Sequence, residues 1–131
     1  MKKILFVLSL AFIVLTFVSC SSDNSPEGVM KEFVSCIKNE DYDKAIDLFY
    51  FEKGLTEKDR QGYTEIFKKW STQFKEMGGL EGIDITNVEM SEDGESAKVD
   101  FLYKYGDGTT KKGSNKVVKV DGKWMIDGNI K

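Results

Sequence analysis

Apolar positions along the chain recur with two different periods, and the change between them divides it into a helical half and a strand half. Val29, Met30, Phe33, Val34, Cys36 and Ile37 return every three or four residues. Ser25 stands where an N-cap belongs, with Pro26 at the first helical position, so a helix starts here and ends at Asn39-Glu40-Asp41. Asp41 caps a shorter second helix whose apolar side is Ala45, Ile46, Leu48 and Phe49, and residues 51–55 form a loop containing Gly54. Thr56 and Asp59 have the spacing of a capping box. Behind them Tyr63, Ile66, Phe67, Trp70, Phe74 and Met77 form one stripe of a long helix that Gly78-Gly79 stop.

After Gly82 the period falls to two. Ile83, Ile85, Val88 and Met90 read as a strand whose parity slips near Thr86-Asn87, which predicts a bulge. Ala97, Val99, Phe101, Tyr103 and Tyr105 alternate with Lys98, Asp100, Leu102 and Lys104 in a half-buried second strand. A third strand covers residues 109–120. Asp121-Gly122 is a two-residue hairpin signature, and Trp124, Ile126 and Ile130 mark a last strand. A run of helices followed by a run of strands predicts an α+β domain, with N-terminal helices packed on a curved four-stranded antiparallel sheet.

The first residues belong to neither pattern. Lys2 and Lys3 precede an apolar run over residues 4–18, too short to span a bilayer and of the length of a signal-peptide core. Phe17-Val18-Ser19-Cys20 and the polar segment after it resemble a bacterial lipobox, with Phe17 where leucine is commonest. The resemblance implies cleavage before Cys20 and acylation of that cysteine. The expected organisation is a signal peptide over 1–19, a lipidated tether over 20–25 and a single domain over 26–131. Two or three acyl chains hold a protein stably on a membrane. The expected location is the bacterial cell envelope, on a periplasmic or outer-membrane face.

Composition narrows the chemistry. The 131 residues include nine Phe, five Tyr and two Trp, ample core material, and no histidine. Histidine-dependent nucleophile systems, imidazole metal sites and imidazole pH switches are thereby removed. Losing Lys2 and Lys3 with the leader takes the formal net charge from −3 to −5. That argues against nucleic acid, and against polybasic docking to anionic lipid.

No catalytic constellation emerges from the remaining residues. Asp100 and Asp127 have the parity of the solvent face. Cys36 lies on the apolar side of its helix, the setting of an inert thiol. Asp41 and Asp43 lack the spacing of a calcium loop, and the glycine-rich segment 105–113 joins strand to strand, unlike a phosphate loop. No metal or cofactor is expected. Tyr63, Trp70, Phe74, Phe101, Tyr103 and Trp124 all fall on apolar faces, where they either fill the core or line a pocket.

The opening segment 25–49, the long aromatic helix and the terminal Val-Val-Lys-Val-Asp-Gly-Lys-Trp-Met-Ile-Asp of residues 117–127 together resemble the nuclear transport factor 2-like (cystatin-like) superfamily. More narrowly they resemble its small bacterial lipoproteins of unknown function. The resemblance implies a cone-shaped domain enclosing a pocket, and it carries over no catalytic residue. The resulting expectation is a non-enzymatic, lipid-anchored binding module for a small apolar ligand, a peptide or a partner protein. Its contacts would come from the six aromatic residues just named. The alternatives are a pocket enzyme of isomerase or hydratase type, and an assembly role in which the outer sheet face, with Leu102 and Met125, forms a homodimer.

Overall fold

A computed structural model describes residues 24–129. The expected leader, Cys20 and Ile130 lie outside them. Helix α1 spans Pro26–Lys38, α2 Tyr42–Asp47 and α3 Glu57–Glu76. Each begins where the capping chemistry placed it. Gly28 N–H donates to Ser25 Oγ at 2.9 Å, and Lys44 N–H to Asp41 Oδ1 at 3.3 Å. In the capping box Asp59 N–H donates to Thr56 Oγ1 at 3.1 Å and Thr56 N–H to Asp59 Oδ2 at 3.2 Å. Arg60 ties α3 to α2 through Asp47 at 2.6 Å and Asp43 at 3.5 Å.

Strands β1 (Phe49–Tyr50), β2 (Leu80–Met90), β3 (Ser96–Tyr105), β4 (Thr110–Val120) and β5 (Lys123–Asp127) form one sheet in the order β1-β5-β4-β3-β2. The sheet therefore has five strands and is mixed, where four antiparallel strands were expected. The additional strand, β1, runs parallel to β5, with Phe49 beside Ile126 and Tyr50 beside Asp127. Two residues are too few to show an alternation, and their pairing depends on a strand about 75 positions away. Phe49 thus leaves the helix that its spacing suggested. The register of β2 on β3 shifts between Ile85 and Asn87, as the parity slip predicted, and again between Leu80 and Gly82.

The helices cover one face of the sheet. Val99 and Val117 on the strands and Met30 and Ala45 on the helices are wholly buried. Phe67 joins the layers, with its ring 5.6 Å from Phe33 and 6.0 Å from Phe49. The buried face of α3 is Tyr63, Phe67, Ser71 and Phe74, so Ile66 and Trp70 lie at its margin, 42% and 39% exposed. Ser71 belongs to the interior because its hydroxyl accepts a hydrogen bond from Tyr42 Oη at 2.9 Å.

Candidate functional site

The six aromatic residues separate into three groups. Phe74, Phe101 and Tyr103 come together with Tyr105 on the helix-facing side of β3. Ring centroids are 4.8 Å apart for Phe101 and Tyr103, 6.2 Å for Phe74 and Tyr103, and 5.5 Å for Phe74 and Tyr105. The register puts Phe101 opposite Gly113, and the absence of a side chain there leaves the space that the Phe101 ring occupies. Tyr63 and Trp70 instead meet Phe67, at 6.4 and 5.3 Å, with Phe51 5.2 Å from Tyr63. Trp124 lies apart from both groups at the other end of the sheet, buried in the core, with Lys119 Nζ 5.7 Å above its ring.

The Phe74 group carries the unusual chemistry. Tyr105 is 3% exposed, and its hydroxyl has no hydrogen-bond partner among the described residues. Burial raises the pKa of Tyr105, and burial together with the neighbouring Tyr105 pushes that of Tyr103 up to about 12. Both phenols are therefore neutral donors at any physiological pH. Periodicity placed Tyr105 on this face, but its unsatisfied hydroxyl is a property of the packing.

Beside this group a depression of about 150 Å³ is lined by Ile37, Lys38, Glu40, Ser71, Phe74, Lys75, Gly79 and Leu80. Its rim is charged: Lys75 Nζ lies 3.5 Å from Glu40, and Lys38 Nζ donates to the Glu81 carbonyl at 2.9 Å. Phe74 is the member of the expected set that lines it. Three other depressions lie between α1 and β2, on the polar face of α3, and at the β2–β3 hairpin; none is lined by an aromatic residue of the set. The lysines and Ser71 of this rim gave no periodic signal, because α1 contributes Lys38 and α3 contributes Ser71 and Lys75 separately.

Elsewhere the carboxylates face outward. Ser114 Oγ donates to Asp100 at 2.8 Å on the solvent face of the sheet, and Asp84 pairs with Lys104 at 3.3 Å. Asp127 accepts from the Asn129 side chain at 2.9 Å. Cys36 is buried, and burial, followed by Glu32 and Asp41, raises its pKa against the opposing pull of Lys44. No group of three or more metal-ligating side chains occurs among the described residues.

The architecture has solved counterparts. A nuclear transport factor 2-like protein from Campylobacter jejuni, whose name provisionally ascribes it transpeptidase activity, superimposes with a TM-score of 0.69 at 18% identity. The match covers 80% of this chain and 99% of that one. A SEC-C motif containing protein from Rhodopseudomonas palustris gives 0.55 at 17% identity, over 85% of this chain and 81% of the other. No protein-family model and no curated protein matches the chain. The likeness establishes a nuclear transport factor 2-like fold; at these identities no residue's role transfers.

Proposed function

We propose that this protein is a non-enzymatic binding module, anchored to a bacterial envelope membrane through lipidated Cys20. On this reading its site is the end of the domain where Phe74, packed against Tyr103 and Tyr105, lines the depression between α1 and α3. The observation that carries the reading is the buried Tyr105 hydroxyl without a partner. Leaving such a group unpaired costs about 1–3 kcal/mol. Phe74 lines the depression and packs on Tyr105 at 5.5 Å, so an occupant bearing an acceptor removes that cost where it moves the Phe74 ring aside and opens the hydroxyl. Ligand pockets for whole small molecules start near ~300 Å³. A depression of about 150 Å³ is half that, so its occupant is an end group or side chain of something larger, such as a peptide.

Asp84, Asp100 and Asp127 lie outside this region, and the carboxylate on its rim, Glu40, is exposed and paired with Lys75 at 3.5 Å, which supports binding over acid–base chemistry. The transpeptidase named in the Campylobacter protein needs a nucleophile. In this chain Ser71 is 7% exposed and held by Tyr42, and Cys36 is 4% exposed with a raised pKa. Neither arrangement favours that chemistry here.

Native mass spectrometry of the protein purified from its own host's envelope, before and after organic extraction, tests the reading. An extra mass that extraction removes, and that the Tyr105→Phe variant fails to retain, is the expected result. A bare mass in both variants under gentle conditions overturns it.

A further inference from the structure

The way Asn24 is held bears on how the domain sits on its membrane. Asn24 is not a free end. Its Nδ2 donates to the Gly122 carbonyl at 2.8 Å, and its Oδ1 accepts from Trp124 N–H at 3.0 Å. One side chain thus holds both the β4–β5 turn, at Gly122, and the start of β5, at Trp124, and the chain next enters α1 through the Ser25 cap. Only Ser21, Ser22 and Asp23 separate this clasp from Cys20. Four residues reach at most about 14 Å even when fully extended.

The other end of the domain is equally well defined. Gly106 N–H donates to the Gly79 carbonyl at 2.8 Å and Asp107 N–H to the Met77 carbonyl at 2.9 Å, which fastens the end of α3 to the β3–β4 turn. Gly79 also lines the depression beside Phe74. Strand β4 connects the two ends, and its 11 residues at ~3.4 Å each cover roughly 35 Å.

We infer that the Asn24 clasp and the β4–β5 turn are held against the bilayer surface, and that the depression is presented at the opposite end, directed away from the membrane. The inference rests on the lipid-anchored reading of Cys20 and adds to it an orientation. The leash sets this geometry without help from charge: the turns at the clasped end carry Glu92, Asp93, Glu95 and Asp121 as well as Lys119 and Lys123. A surface of mixed sign has little attraction for anionic lipid.

The test uses the full-length protein, processed in a bacterial host and reconstituted in phosphatidylethanolamine–phosphatidylglycerol vesicles containing a lipid with a nitroxide headgroup. A fluorophore is placed at one of two exposed sites, Lys123→Cys beside the clasp or Thr110→Cys at the far end. The expected result is loss of fluorescence at position 123 and none at 110. Adding Asn24→Ala, which leaves the lipid in place and opens the clasp, should return part of the signal at 123. Equal quenching at both sites, or stronger quenching at 110, in protein whose mass includes the diacylglycerol overturns the orientation while leaving the anchor intact. A mass without the diacylglycerol, with vesicles binding neither labelled protein, overturns the anchored reading and the orientation with it.

Discussion

Tyr105 is the residue at which packing and chemistry conflict most directly. Its ring completes the core against Phe74, yet its hydroxyl is sealed from solvent without a partner. Tyr105→Phe should therefore stabilise the unliganded domain, by about 1 kcal/mol, because an unmet desolvation cost disappears. Chemical denaturation would measure the gain; a loss of similar size would mean that the hydroxyl has a partner in solution. Tyr103 supplies a pH signature. An unfolded tyrosine ionises near ~10, whereas the folded-state value is about 12, so the fold favours the neutral phenol. Its contribution is complete below pH ~10 and is lost as the pH rises from there through about 12, since the unfolded chain sheds its proton first. Spectrophotometric titration should show a late tyrosinate step that Tyr103→Phe removes. Cys36 has the raised pKa of a buried thiol, so native protein should resist thiol reagents that modify it promptly once unfolded.

At the scale of elements, glycines in similar-looking positions have opposite effects. A Cβ on Gly106 would run into the Gly78 carbonyl oxygen, in backbone that the α3 and β3–β4 turn bonds hold in place. Gly106→Ala should cost about 2–3 kcal/mol by overpacking. Gly62 sits inside α3 with open space where a Cβ would go. Gly62→Ala should raise stability by about 0.5–1 kcal/mol through helix propensity and reduced freedom of the unfolded chain. Thr56→Ala removes one half of the capping box and should cost about 1 kcal/mol. Melting curves of the three variants, compared with the parent, check the signs together.

For the whole molecule the joint between layers is Phe67, which touches Phe33 on α1, Phe49 on β1, and Tyr63 and Trp70 on its own helix. Phe67→Ala should cost about 3–5 kcal/mol, and aromatic circular dichroism should weaken before the secondary structure does. The sheet's outer face is a second surface suited to a contact of its own. It presents Tyr50, Leu102, Val118, Val120 and Met125, all half-buried, beside Lys98 and Lys116 directly opposite each other. Like charges across a strand pair disfavour a flat apolar contact. Light scattering of the Cys20→Ala protein is accordingly expected to give a monomer at micromolar concentration, and a dimer there would move weight to an assembly role.

What the sequence determined by itself was most of the local structure. Caps at Ser25, Asp41 and Thr56, the stop at Gly78-Gly79, the alternation from Ala97 to Tyr105 and the slip at Ile85-Asn87 each depend on neighbours a few residues away, and each is visible as a pattern. The tertiary structure decided what depends on distant partners. Phe49 and Tyr50 became a strand because β5 offered an edge. Ser71 lies on the buried face, where it accepts from Tyr42, while Ile66 and Trp70 stay at the margin. The candidate site assembled at one end because the Gly78–Gly106 approach brought the close of α3 onto a turn about 30 residues further along. A periodicity reports which side of an element avoids water; which neighbour then covers that side is a choice made by the packed whole.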